Sequence, residues 1–313
     1  MVNSLFPRDK NDYIGMITSL VLISFVTIND LAKMYAQYVN GESTALESLA
    51  KFFTGFYLLA NVLVNMLRAV KTDTTIHAID LPRILLPGWR YCSACELNAP
   101  PRSFHCFSCN KCVLKRNNHC MFLGKCAGHR NYRFYIMFIV YVWLGTLFSV
   151  YINRDFYYDV MFNFQFRKFF IAFIPLFAIL FQMIGIVEFF FVFANSICFI
   201  LLFMLLFYMI VNMRLILNGQ TWHENAKNVR AYNLSWFDNL KEVLGNNWSQ
   251  AALNPFARLS LPSDGTSFKK NALYADETSS NKPLYQQFNA HQSLYTGEAT
   301  TSVTRRADNV KNI

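Results

Sequence analysis

A predominantly α-helical, multi-pass integral membrane protein with a small cysteine-rich domain is the architecture this chain predicts, and three observations carry it. Hydrophobic residues fill 54% of the 313 positions and charged residues only 15%, with 31 phenylalanines. Apolar stretches of spanning length recur, each near the roughly 20 residues that cross a hydrocarbon core about 30 Å thick. Between the second and third of these lies a polar segment that holds seven of the eight cysteines.

The elements follow in order. The first span runs from about Tyr13 to Ala36. Its leader carries both signs of charge and no small-residue cleavage site follows, so it reads as an uncleaved anchor. Asn29 and Asp30 within it read as an interfacial end or a helix–helix contact rather than an ion path. The second span covers Phe52 to Val70. From Lys71 to Arg133 the chain carries ten Lys or Arg against Asp73, Asp80 and Glu96, whereas the short loop from Asn40 to Glu47 has two glutamates and no base. The positive-inside rule therefore places the cysteine-rich segment in the cytosol. The reducing cytosol also keeps its thiols available to metal. The net charge of +10 is accounted for by this topology and by anionic lipid, and no soluble basic face for nucleic acid is apparent.

The third span covers about Phe134 to Ile152. The apolar region from Phe169 to Leu217 would be roughly 74 Å long as one helix, too long for a single crossing. Two crossings there would carry the basic residues Lys227, Arg230, Lys241, Arg258, Lys269 and Lys270 to the side opposite the cysteine-rich segment. One full span within about Glu188 to Leu217 is expected, with Phe169 to Val187 interfacial, re-entrant or part of a tilted helix. From Ser260 the chain turns rich in Ser, Thr, Asn and Gln, a composition that cannot bury enough apolar surface to fold.

Two interleaved copies of one pattern organise the cysteine-rich segment. Cys92, Cys95, His105 and Cys112 read C-x2-C-x9-H-x6-C, and Cys106, Cys109, His119 and Cys126 repeat it 14 residues later. Three thiolates and an imidazole at such spacing are what a structural tetrahedral zinc site requires, so two Zn2+ ions per chain are expected. Cys198 lies in an apolar stretch and reads as a small hydrophobe. Cys120 belongs to neither set, yet directly follows the ligand His119. A thiol held beside a zinc ligand but not needed by the metal is the best nucleophile candidate in the chain.

These residues carry a resemblance. A double zinc module between the second and third spans, with a spare cysteine near the membrane, resembles the DHHC protein S-acyltransferases (palmitoyltransferases). The dense match covers roughly Tyr91 to Phe134: Cys92, Cys95, Pro100, Arg102, His105, Cys106, Cys109, Cys112 and Val113, then Cys126, Gly128, Asn131 and Phe134. Beyond the last span, Thr221-Trp222-His223-Glu224 is similar to the family's TTxE box with its second Thr replaced. Asn239 to Gly245 is similar to its C-terminal Asn…Gly motif. The signature departs from the family: where Asp-His-His-Cys is expected, this chain has Asn117-Asn118-His119-Cys120, and Met121-Phe122 replaces the usual Pro-Trp. The Asp-Pro-Gly box is absent between Lys71 and Pro87.

The resemblance implies a long-chain acyl-CoA co-substrate, an acyl-Cys120 intermediate, and protein substrates with cytosol-facing cysteines. It also implies residence in the Golgi or endoplasmic reticulum membrane; any accessory protein is left unspecified. Asn118 and Asn117 occupy the positions of the family's base and its orienting acid. An amide cannot titrate near neutral pH, so they can orient or donate hydrogen bonds, toward a thioester oxyanion for example, but cannot accept the thiol proton. Arg102, Lys111, Lys115 and Arg116 are generic candidates for the CoA phosphates, and Thr221 and Glu224 are expected to brace the module. The alternative is a catalytically weak or inactive relative that acts as a zinc-stabilised membrane scaffold or partner-binding protein. The expected division is 1–70 anchor and first two spans, 71–133 zinc domain, 134–217 later spans, 218–259 cytosolic motif region, and 260–313 polar disordered tail.

Overall fold

The structure, a computed structural model, describes residues 7, 9–162, 171, 174–257 and 259–274. Four helices among them are long and apolar enough to cross a membrane: α1 (Lys10–Val39), α2 (Ala45–Lys71), α3 (Tyr132–Ile152) and α6 (Ile186–Leu217). Between α3 and α6 lie α4 (Arg154–Phe162) and the short α5 (Pro175–Leu180); after α6 come α7 (Trp222–Ala226), α8 (Trp236–Leu244) and α9 (Trp248–Leu253). The cysteine-rich segment forms three antiparallel hairpins from six three-residue strands: β1 (Arg90–Cys92) with β2 (Leu97–Ala99), β3 (Phe104–Cys106) with β4 (Lys111–Val113), and β5 (Asn118–Cys120) with β6 (Lys125–Ala127).

Local sequence explains the helix ends. Asp9 caps α1 by accepting the Asn11 amide, and Thr44 with Glu47 forms a reciprocal capping box on α2. The turn from α1 into α2 passes through Gly41 at φ 74°. Pro175 begins α5, where its missing N–H costs nothing, and Gln182 at φ 55° ends the continuity toward α6. Among the described residues the late helix long enough to cross is Ile186–Leu217. The stretch from Phe169 to Val187, expected to be interfacial, re-entrant or part of a tilted helix, lies partly outside the described residues; its described part is a six-residue helix and a turn, too short to span.

α3 is the centre of the bundle and packs against α2 and α6, while α1 touches all three. Ile14, Val21, Ile28 and Tyr35, seven residues apart, form an exposed apolar stripe along α1. Phe53, Phe56, Phe203, Phe207 and Ile210 extend the apolar surface on α2 and α6, as contact with lipid tails requires. Asp30 is a helix–helix contact: it accepts hydrogen bonds from Ser149 Oγ (2.8 Å) and Asn153 Nδ2 (2.9 Å), both on the far end of α3.

Residues 260–274, the start of the stretch assigned by composition to the polar tail, pack on the module. Phe268 supplies the apolar anchor, lying over Arg102 and against the rings of His129 and Tyr232, and Asp264 ties the turn at Thr266 and Ser267. Composition averaged over the tail hid that one aromatic residue. The tail beyond Tyr274 lies outside the described residues.

Candidate active site and metal centres

The three hairpins are copies of one unit. Tyr91 faces Asn98 in the first, His105 faces Cys112 in the second, and His119 faces Cys126 in the third, each pair 14 residues after the last. Each hairpin turns through a tight knuckle whose fifth residue has positive φ: Glu96 (53°), Asn110 (50°) and Gly124 (58°). A cluster is built by one knuckle and the facing pair of the next hairpin. Cys92 and Cys95 thus meet His105 and Cys112, and Cys106 and Cys109 meet His119 and Cys126, with the donor atoms of each set within 4.8 Å of one another.

The donor geometry fits a tetrahedral ion. In the first cluster His105 Nδ1 lies 3.8, 3.3 and 4.0 Å from the sulfurs of Cys92, Cys95 and Cys112. In the second, His119 Nδ1 lies 3.6, 3.4 and 3.6 Å from Cys106, Cys109 and Cys126. Zinc bonds of about 2.0–2.3 Å give tetrahedral edges of roughly 3.5–3.8 Å. None of the eight cysteines is in a disulfide.

The third knuckle holds Cys120 in the place of Cys92 and Cys106, but Leu123 stands where the second thiol would be. Among the described residues no fourth hairpin follows to supply a His–Cys pair. The N-terminal part of α1 and the bundle close over this turn instead. Asp12, buried at the start of α1, sets both carboxylate oxygens 2.9 Å from His119 Nε2. Gly15 lets α1 approach: a Cβ there would sit 2.8 Å from the Met121 carbonyl oxygen. Ser19 Oγ donates to the Phe122 carbonyl at 3.4 Å. Burial pushes the Cys120 thiol up from its ordinary value, and the backbone amides of Leu123 and Phe122 oppose this.

Asn117 and Asn118 lie in one directed chain of hydrogen bonds. The Trp222 backbone N–H donates to Asn117 Oδ1 (3.2 Å), and Asn117 Nδ2 donates to Asn118 Oδ1 (3.0 Å). Asn118 Nδ2 then donates to the hydroxyls of Tyr135 (3.0 Å) and Tyr208 (3.3 Å), which are 2.5 Å apart. Trp222, where the TTxE-like box departs from its pattern, stacks on Tyr208.

The basic candidates are placed differently from one another. Arg102 is buried and donates through Nε and one terminal nitrogen to both oxygens of Glu224 (2.6 and 2.7 Å) and to the Gly219 carbonyl (2.8 Å). Lys115 is buried 3.7 Å from Glu242, and burial, with Arg102 adding, lowers its ammonium to about 7. Arg116 is half-buried beside Cys126 and Cys106, and Lys111 is partly exposed. Glu224 and Thr221 form a capping box on α7, so Arg102–Glu224 ties the module to the end of α6. Asn131 likewise joins three elements: its Nδ2 donates to the carbonyls of Ala69 and Cys126 (2.9 Å each), and its Oδ1 accepts from Gly128 N (2.8 Å).

Toward the membrane, Cys120 packs against the buried cluster that includes Val62, Tyr135 and Phe138, with Ile23, Leu58, Val142 and Tyr208 on its margin. Ile23, Leu58, Val62 and Val142 also line an apolar cavity of about 210 Å³ between α1, α2, α3 and α6. Its polar groups, Thr27, Asp30 and Thr146, lie farther along α1 and α3 from the hairpins.

Sequence reasoning missed Asp12, Gly15, Tyr135 and Tyr208. The first two are more than 100 residues from the hairpin they touch, and the tyrosines lie in spans where aromatic residues abound. One signal was in reach: His119-Cys-x2-Leu-x2-Cys126 is a third copy of His105-Cys-x2-Cys-x2-Cys112 with a single exchange.

Residues 87–229 match the DHHC palmitoyltransferase family. A Danio rerio protein named "Probable palmitoyltransferase ZDHHC24" is 33% identical over 222 residues, which cover 70% of this chain and 75% of the relative. Its Homo sapiens namesake is 30% identical over 219 residues, covering 69% and 77%.

Proposed function

The chain belongs to the DHHC palmitoyltransferase family, and from that premise we propose that it transfers a long-chain acyl group, palmitoyl above all, from acyl-CoA to Cys120 and on to cysteines of cytosolic or membrane-associated proteins. One observation carries the reading: Cys120 sits on a knuckle without a second thiol and packs against the buried cluster whose Val62 also lines the apolar cavity between the spans.

Zinc, held by Cys92, Cys95, His105 and Cys112 and by Cys106, Cys109, His119 and Cys126, supplies the cross-links that three-residue hairpins need in order to persist. With Asp12 fixing the His119 ring, the adjacent Cys120 is fixed too. In this reading the acyl tail lies in the cavity, with its thioester turned toward the knuckle. The Cys120 thiolate attacks the thioester carbon and the CoA sulfur departs as a thiolate. A substrate cysteine, as thiolate, then attacks acyl-Cys120 and releases it. Each exchange is neutral in protons and electrons, so it needs a deprotonated sulfur and no oxidant.

Asn118 is not a base, and general-base help is worth about 10²–10⁴-fold. Thiols tolerate that loss best, since a free thiol near pKa 8.5 is already a few per cent ionised at neutral pH. Of the four candidates singled out for the CoA phosphates, Arg102 and Lys115 have carboxylate partners inside the fold, which favours Arg116 and Lys111. The module is cytosolic in this reading, the membrane that of the Golgi or endoplasmic reticulum.

Purified protein in detergent, incubated with alkyne-tagged palmitoyl-CoA, is expected to gain hydroxylamine-labile label that is lost in Cys120→Ala at unchanged zinc content. No label on folded, zinc-loaded wild type would sink the enzyme reading in favour of the scaffold.

A further inference from the structure

On the reading of Cys120 as the acyl-enzyme nucleophile, we infer that the paired hydroxyls of Tyr135 and Tyr208 donate the hydrogen bond that stabilises the thioester oxygen during acyl transfer. The inference rests on a count of protons along a chain whose direction has a fixed origin. A backbone N–H can only donate, so the Trp222 amide makes the Asn117 atom it meets the oxygen. The other end of that amide is then the nitrogen, which makes the Asn118 atom it meets an oxygen in turn. Asn118 Nδ2 is left facing the tyrosines with two protons, one for each hydroxyl oxygen.

Each tyrosine oxygen therefore accepts from Asn118 and still carries its own proton. At 2.5 Å one hydroxyl donates to the other, which uses one of those two protons. Among the described residues no acceptor meets the second. Tyr135 is buried and Tyr208 half-buried, so solvent has little access to this proton. The same count removes Asn118 from the role of direct oxyanion donor, because both its N–H bonds are engaged.

The spare donor is near the nucleophile. Tyr135 belongs to the cluster against which Cys120 packs, and Tyr208 borders it. As the Cys120 thiolate adds to the acyl-CoA carbonyl, the carbon–oxygen π pair moves onto oxygen and the spare hydroxyl proton meets that charge. When the carbon–sulfur bond to CoA breaks, the pair returns and the proton stays on tyrosine. The hydroxyls gain and lose nothing overall. The Asn-Asn pair is thus a positioning device: it anchors a donor pair where the family's base would stand.

The test separates an oxyanion donor from a structural prop. Tyr135→Phe, Tyr208→Phe and the double variant each remove only oxygen. Initial rates of Cys120 acylation by palmitoyl-CoA are to be measured beside the rate of Cys120 alkylation by iodoacetamide, a displacement that develops no carbonyl oxyanion. The double variant is expected to lose about 10²-fold in kcat for acylation with KM little changed, as removal of one preorganised donor does. Its alkylation rate and zinc content should stay within about twofold of wild type by the same logic. Unchanged acylation would overturn the inference, and so would acylation and alkylation falling together. Failure of wild type to acylate at all would instead overturn the underlying enzyme reading, and the inference with it.

Discussion

Cys120 owes its properties to one substitution inside a repeat. Had Leu123 been a thiol, the third knuckle would be a half-site for metal like the other two, and the sulfur would be committed. As it is, the thiol is half-buried, an amide stands at position 118 where the family has its base, and burial raises the thiol's pKa. The thiolate fraction then grows with pH through the neutral range. Autoacylation should rise close to tenfold per pH unit from about pH 6.5 to 8.5, with none of the early plateau a neighbouring imidazole produces. A plateau below pH 7.5 in the label-versus-pH curve would show that a base acts after all. Asp12 makes a second residue-scale test. Removing its carboxylate leaves His119 Nε2 without an acceptor, so Asp12→Ala should weaken metal retention at the second cluster about 10–100-fold against a chelator. The first cluster, with no such contact, should hold its ion. The eight donors were legible because spacing alone brings them together. Asp12 was not, since its partner lies 107 residues away and only the packing of α1 on the hairpin joins them.

At the scale of elements, the module is tied to the spans by a few buried polar links. Within the module the packing is tight as well: a Cβ on Gly128 would come within 2.6 Å of Val113 and 2.7 Å of the Leu114 carbonyl. The Arg102–Glu224 pair is the strongest tie, with two short charge-assisted bonds and the guanidinium stacked over Tyr232 at 4.1 Å. Breaking a buried pair from one side strands the other charge. Glu224→Gln or Arg102→Met alone should therefore destabilise by about 3–5 kcal/mol, and the double variant by less than the sum. Thermal unfolding of the three variants in one detergent measures this; additive losses would mean that the two side chains act independently. Four spans were readable from length and hydropathy. Among the described residues α6 is the late helix long enough to cross, as helix length and the charge of the tail led one to expect. The return of Phe268 to the module was not readable, because one aromatic residue in a polar stretch leaves no periodicity.

Across the whole molecule the described residues form a helical bundle capped by a hairpin module, and the 259–274 segment closes over that cap through His129. His129 is buried, its Nε2 donates to the Ser263 carbonyl (3.0 Å), and Nδ1 has no partner. Burial, with Lys115 and Arg130 adding and Glu242 and the Ser263 bond opposing, lowers its pKa from 6.5 to about 4. In the folded protein the ring is therefore neutral where the unfolded chain would already be protonated. The sign follows directly: the folded-state pKa is depressed, so stability is fully present above pH 6.5 and is lost as pH falls toward 4, where the unfolded chain binds the extra proton. The shift corresponds to about 3 kcal/mol at most. Acid also strips metal from thiolate sites, so a bare loss of stability at low pH would decide nothing. The comparison that decides is between wild type and His129→Gln, whose amide Nε2 can keep the bond to Ser263 but cannot take up a proton. Measured in one detergent from pH 7.5 to 4.5, the variant should unfold more easily at neutral pH and lose less of its remaining stability on acidification. Parallel curves would assign the acid sensitivity to the metal clusters and leave the wrap of the C-terminal segment insensitive to pH.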